Sequence, residues 1–281
     1  MTFYSGHAVG VWYVAESTEG TTPTSSPAFL NLAQRAEVTL TDEPNPQAVT
    51  KSGSVDKTSY SKGVENPRVN ITFTPSQANG AAFIKNYISS DTSFTLLIMI
   101  DTTVDVVFAR ITGCKVKRMT QSVSIYPDNS PLNVTAEIWG WAISYSNAGL
   151  TTPTFEAAPA TIVNYSDVTI KKTSTTITNW WRFEWTLENE LFRQPSNTGA
   201  TVGIVRGIRN ITGSWAIPAE DSGQTELDEA KDATAIELHF LIGSDDYDLD
   251  SCAYTTVEIS HPLTDLVGKR MDFSVGNLTI T

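Results

Sequence analysis

The chain has 281 residues, 40% hydrophobic and 18% charged, which is the balance of a folded protein rather than a disordered one. A formal net charge of −12 argues against a protein built to capture nucleic acid, because phosphate binding needs a basic surface. Two cysteines make no disulfide framework, and the apolar runs are too short for a bilayer span or a secretory leader, which implies a soluble protein made inside the cell.

Plentiful Thr, Val, Ile and aromatic residues, with few runs at helical spacing, predict an all-β fold with one short helix per domain. Residues 68–75 form a strand that carries Asn70-Ile71-Thr72 and ends on Pro75. A helix-like stretch follows over 76–88, then an apolar strand over 94–100 and an acidic turn at 101–105. The next strand opens on Gly113-Cys114. A long alternating strand over 132–144 sets Leu132, Val134, Ala136 and Ile138 on one face. Asn133, Thr135, Glu137, Trp139 and Trp141 share the other. Residues 146–160, with Gly149, Pro153 and Pro159, read as a linker.

The second half repeats this order. After Trp180-Trp181, the strand over 182–188 buries Phe183, Trp185 and Leu187 and turns Arg182, Glu184, Thr186 and Glu188 outward. Asn-Ile-Thr recurs at Asn210-Ile211-Thr212, 140 residues after its first appearance, in a strand ending on Pro218. A helical stretch over 220–233, an apolar strand over 235–242 and an acidic turn at 245–250 come next. Ser251-Cys252 then opens a strand 138 residues after Gly113-Cys114, and an alternating strand over 270–280 closes the half. Chance supplies a tripeptide match but rarely the order as well, so the chain is expected to hold two tandem β-sandwich domains, 1–148 and 149–281. Long polar connections are expected at 42–63 and 194–207. Cysteines at equivalent places in separate cores are expected as buried thiols, not as a bridge. The halves differ in charge: 10 basic against 12 acidic side chains over 1–150, and 9 against 19 over 151–281.

Catalytic chemistry has little to stand on. His7, His239 and His261 are the only histidines and lie near no nucleophile motif; no phosphate-cradling glycine loop or metal-spaced His/Cys cluster is present. Asp246, Asp248 and Asp250 alternate as in a calcium loop, but the glycine and the terminal glutamate of such a loop are missing, so a solvated turn is the default and no cofactor is expected. Trp139, Trp141, Trp180 and Trp181 fall where aromatics mark an interaction surface, for a neighbouring subunit or for a ligand. The second option would make the chain a carbohydrate-binding or adhesin-like β-sandwich; a capsid decoration protein is a third reading.

The stretch Trp12-Tyr13-Val14-Ala15-Glu16-Ser17-Thr18-Glu19-Gly20-Thr21-Thr22-Pro23 resembles the opening of tail tube proteins from long-tailed, siphovirus-like viruses of bacteria or archaea. Residues 168–217 are similar to that family's order of strand, alternating strand, loop and Arg-x-Asn-Ile-Thr-Gly, here Arg209 to Gly213 without its spacer residue. The resemblance implies two tandem tail-tube-like sandwiches whose strands join a ring-forming β-barrel, stacked into a channel for double-stranded DNA. Many family members have one such domain, so duplication implies rings of three chains with pseudo-sixfold symmetry, six chains being the alternative. It further implies an acidic lumen at Glu137, Glu184 and Glu188. Contacts between subunits or rings are expected at the four tryptophans above, Lys51, Lys57, Lys62, Arg193 and Arg206. Tape-measure and tail terminator or tip proteins are the implied partners. The implied location is the virion tail, after synthesis in the host cytoplasm and without membrane insertion.

Overall fold

The computed structural model describes residues 10–42, 47–49, 59–61, 66–88, 91–99, 108–146, 150–158, 161–196, 200–219, 225–260 and 268–281. The first half contains β1 (Gly10–Ala15), β2 (Ala28–Asn31), β3 (Ala33–Asp42), β4 (Gln47–Val49), β5 (Ser59–Ser61), β6 (Pro67–Pro75), α1 (Asn79–Ile88), β7 (Phe94–Met99), β8 (Phe108–Ser124), β9 (Ser130–Trp139) and β10 (Ala142–Ser144). A short strand β11 (Thr154–Phe155) leads to the second half. There follow β12 (Val168–Lys172), β13 (Thr175–Ile177), β14 (Arg182–Pro195), β15 (Thr201–Pro218), α2 (Thr225–Lys231), β16 (Ile236–Ile242), β17 (Asp245–Ser260), β18 (Gly268–Ser274) and β19 (Asn277–Ile280). The expected all-β class holds, with one short α-helix in each half among the described residues.

In the first half an outer sheet runs β2-β1-β7-β8-β10, and an inner sheet runs β3-β6-β9-β8. β8 belongs to both. It turns the corner at Gly113, whose φ of +63° a glycine adopts without steric cost. The ladder records the bend as a bulge: Phe94 pairs with Cys114, but Leu96 pairs with Ile111. β17 repeats the device. Its corner is Ser251, at φ +55°, and Ile236 pairs with Cys252 while Leu238 pairs with Leu249.

A second bulge follows each corner, at Val116/Arg118 against β9 and at Tyr254/Thr256 against β18. The second half therefore has an outer sheet β13-β12-β16-β17-β19 and an inner sheet β14-β15-β18-β17. Both cysteines sit just past their corners, free and buried, each donating to the carbonyl three residues back, Ile111 or Leu249. Burial pushes the Cys252 thiol up to about 12, and the Cys114 thiol well above its usual range.

The ladders also correct the sequence alignment. Val69 lies opposite Ile138 and Gly213 opposite Phe273, so Asn70 is level with Ser214, four residues past Asn210. The two Asn-Ile-Thr tripeptides are not equivalent positions. The described parts of 194–207 are not a loose connection either, since β14 and β15 continue as a paired hairpin from Leu191/Arg206 to Pro195/Thr201. β-Branched Val202, Ile204 and Val205 suit that extension. The acidic run 245–250 is strand rather than turn, because the chain already reverses at Gly243, φ +61°. Residues 101–105 lie outside the described set.

The expected linker is strapped to the first half: Thr154 and Phe155 pair in parallel with Ala28 and Phe29, and Phe155 stacks on Phe29. Glu156 holds the strap down, accepting from the Asn31 amide at 2.9 Å through its carboxylate and from Trp12 Nε1 at 2.8 Å through its carbonyl.

The two halves join edge to edge. β8 and β14 pair antiparallel from Arg182/Ser124 to Glu188/Arg118. An eight-stranded inner sheet, β3-β6-β9-β8-β14-β15-β18-β17, thereby crosses the whole chain, and one apolar core extends behind it through both halves.

Candidate functional site

The face of the inner sheet turned away from the core gathers the polar residues of the alternating strands. Successive ladders set Thr72, Thr135, Thr120, Thr186, Thr212 and Ser274 in one unbroken row across six strands. Neighbouring hydroxyls in the row meet at 2.8 Å (Thr120 and Thr186) and 3.3 Å (Thr72 and Thr135). Such cross-strand hydroxyl pairs support a sheet while leaving its surface polar and uncharged.

Glu137, Glu184 and Glu188, far apart in sequence, lie together on this face. Glu137 and Glu188 flank Arg118 in the next row, which runs Asn70, Glu137, Arg118, Glu188, Asn210. Glu188 also accepts from Lys117 Nζ at 3.2 Å, and Glu184 accepts from Arg182 at 2.7 Å. Acidic groups are thus interleaved with cations and hydroxyls rather than massed. Sequence reasoning missed Arg118 and the threonine row, because only strand register brings them into line.

The extended β14–β15 hairpin is an arm with two unlike sides. On one side Leu191 and Ile204 are buried. Arg193 reaches the first half there, donating to the carbonyls of Gly140 at 2.7 Å and Pro67 at 3.1 Å. Its guanidinium lies 4.9 Å from the Trp139 ring, over which Arg68 also sits at 5.1 Å. Burial, and then the charge of Arg68, pull Arg193 down to about 10. The outer side exposes Phe192, Val202, Val205 and Ile208. Arg206 is half-buried on the same hairpin, and Lys51, Lys57 and Lys62 lie outside the described residues.

None of the seven tryptophans is exposed. Trp180 is buried and Trp139, Trp141 and Trp181 are half-buried. Trp139 donates its Nε1 to Glu137 at 2.8 Å. A Cβ on either Gly20 or Gly113 would lie within 2.4 Å of the Trp141 ring, so both glycines are packed against that indole.

The Glu16–Thr22 stretch has a structural role that its sequence did not reveal. The Glu16 carboxylate accepts from the amides of Gly20 and Gly113 and from the hydroxyls of Ser93 and Thr95, at 2.6 to 2.9 Å. It fixes its own turn, where Gly20 has φ +76°, and ties that turn to the corner of β8.

Asp246, Asp248 and Asp250 cannot converge as a calcium loop does, because alternate residues of a strand are spaced nearly 7 Å apart. The cation-capable group is different: Glu237, His239 and Asp248 bring ligand atoms within 4.8 Å of one another. His239 is engaged by Asp246, at 3.1 Å, and by Glu237, at 3.4 Å.

An edge-joined sheet with one polar face and an arm that exposes apolar side chains along one side is the geometry of a building block. No curated protein matches the chain. Two solved structures, the virion of a native gene transfer agent particle and the tail of an empty gene transfer agent particle computed with helical refinement and C6 symmetry, are similar to it. Each similarity covers 42% of this chain and 98% of the other, at TM-score 0.36 and identities of 16% and 15% respectively. Residues 6–265 match the phage tail tube protein family. With the match running almost end to end, the chain belongs to the phage tail tube proteins, the structural subunits of a viral tail tube.

Proposed function

We propose that the chain assembles three to a ring, each supplying two copies of one sandwich unit, 1–148 and 149–281, with the start of the second strapped back onto the first. Rings then stack into the tube through which double-stranded DNA leaves the particle. The observation that carries this reading is the inner sheet: the strand order β3-β6-β9-β8 recurs as β14-β15-β18-β17, joined edge to edge within one chain. A barrel closed from such sheets has no free edges to aggregate.

The hydroxyl rows with Glu137, Glu184 and Glu188 then line the lumen, offering phosphate a polar surface of little positive charge, so that DNA slides rather than binds. The apolar side of the β14–β15 arm faces the next ring in the stack, a head-to-tail contact that propagates without closing. The protein acts without catalysis, in the virion tail, after synthesis in the host cytoplasm, alongside a tape-measure protein and terminator or tip proteins.

Negative-stain microscopy of the purified chain tests this. Stacked rings with threefold averages are expected. A monodisperse monomer that binds glycans would favour the adhesin-like alternative and overturn the tube.

A further inference from the structure

The chain displays one seam of its inner sheet and leaves two edges of the same sheet open. Among the described residues, β3 pairs only with β6, and the part of β17 beyond its corner pairs only with β18. We propose that β17 of one chain pairs antiparallel with β3 of the next, in the register of the internal β8–β14 seam. This rests on the tail-tube reading above and deepens it by naming the edges and the register.

The repeated bulges fix the equivalence. They put Thr120 level with Glu258 and Gln121 level with Ile259. Through the adjoining ladders, Thr186 is level with Thr41 and Trp185 with Leu40. Internally Thr120 faces Thr186 and Gln121 faces Trp185. Between chains, Glu258 therefore faces Thr41, Ile259 faces Leu40 and the Ser260 backbone faces Thr39.

Burial marks the same positions as unfinished. At the internal seam Phe183, Trp185, Leu187 and Met119 are wholly buried and Gln121 is 1% exposed. Their counterparts at the open edges, Val38, Leu40, Asp42 and Val257, are only half-buried, and Ile259 is 40% exposed. Apolar side chains beside unpaired backbone invite another strand. Strand direction matches the internal seam at both edges, and so does the core-facing pattern except at Asp42, which stands level with Leu187, so the occupant is a second copy of this chain. The contact is heterologous and closes when the rotation completes a ring.

Cysteine cross-linking of assembled protein reads the register. Thr41→Cys combined with Glu258→Cys places thiols on directly opposed residues, close enough to bridge, whereas Thr39→Cys with Glu258→Cys is offset by two. Native Cys114 and Cys252 are buried and stay silent. Oxidation of tubes of the first variant should give covalent dimers and a terminal trimer on a denaturing gel, with at least tenfold less product from the offset pair. Equal or greater product from the offset pair, or no product from tubes of either variant, overturns the seam while the tube reading stands. Wild-type protein that forms no tube at any concentration overturns that reading and the seam with it.

A second variant guards against misfolding. Ile259→Lys should leave the melting temperature of the isolated chain unchanged, since the side chain is already exposed, yet abolish ring formation by light scattering. Rings as abundant as wild type would overturn the seam.

Discussion

The two helices occupy the same place in the repeat and are held by opposite means. α1 follows β6 and buries Phe83, Ile84, Tyr87 and Ile88 among aromatic neighbours. α2 follows β15, buries no residue, and is tied down by ion pairs from Glu226 to Lys269 at 3.0 Å and from Glu229 to Lys172 at 2.7 Å. The strand order, the corners and the bulges persist in both halves while the helix contacts have changed chemistry. Geometry of the bent strand is thus the invariant of the unit, and what covers the open end of the sandwich is interchangeable. Part of the acidity of the second half follows, because its helix contributes Glu226, Asp228 and Glu229 where α1 contributes no acid in its first turn.

The comparison breaks most sharply at Phe83. This ring is wholly buried and lies 5.0 to 5.2 Å from those of Tyr13, Phe94 and Tyr87. Phe83→Ala should cost about 3–5 kcal/mol, the usual loss for an aromatic removed from a tight core. Urea unfolding of the purified chain would measure it. No truncation in α2 should approach this, since its best apolar contact is the partly buried Ala230. A loss under about 1 kcal/mol would mean that α1 is not anchored by its aromatics.

Glu226 is the corresponding test of α2. Its burial opposes ionisation, but the hydrogen bond and charge of Lys269, with Lys172 nearby, prevail and hold the carboxyl below its usual range. A depressed carboxylate contributes stability above its unfolded value, near 4.3, and that contribution is lost as pH falls through the lower folded value. Glu226→Gln removes the carboxylate that Lys269 meets at 3.0 Å, in a site where the lysine side chain is 4% exposed, and should cost about 2–3 kcal/mol at neutral pH. It should also flatten the acid limb of the stability curve. Glu226→Leu with Lys269→Met should restore most of the loss, as apolar replacement of a buried pair commonly does. Thermal melts from pH 3 to 7 distinguish these outcomes, and an unchanged acid limb in the glutamine variant would sink the ion-pair account.

The same contrast explains what the sequence could and could not reveal. Alternation around Leu132 and around Phe183 was legible because a half-buried strand must repeat every two residues. The expected single strand over 132–144, however, ends at Trp139 with Ala142–Ser144 pairing separately on β8, and the one expected over 270–280 divides into β18 and β19. The Gly113-Cys114 and Ser251-Cys252 pairs marked equivalent places because both follow the same bend. Asn-Ile-Thr misled by four residues: Asn70 and Asn210 both face outward in threonine-rich strands, where the composition recurs without the position. Residues 194–207 read as a loop because their polar residues, Gly203 and Pro195 look like punctuation when the partner strand is not known. The threonine row could not be read at all, since it is assembled from one residue in each of six strands.

The corners carry the subtlest difference. At Gly113 the left-handed backbone is met by glycine and its amide is held by Glu16. At Ser251 the same backbone is met by a residue with a Cβ, and the amide is capped by Asp250 Oδ1 at 2.6 Å. A non-glycine residue there carries a steric cost of roughly 1–2 kcal/mol, partly offset in a Ser→Gly change because glycine gains more freedom in the unfolded chain. Ser251→Gly should therefore stabilise the protein by about 0.5 kcal/mol, a rise in melting temperature of about 1–2 °C. The substitution leaves the Asp250 cap in place, and the corner is set by the bulge rather than by the side chain, so tube assembly should be unaffected. A fall in melting temperature would instead assign the Ser251 Cβ, which lies 3.0 Å from where a Cβ on Gly276 would stand, a packing role that outweighs its backbone strain.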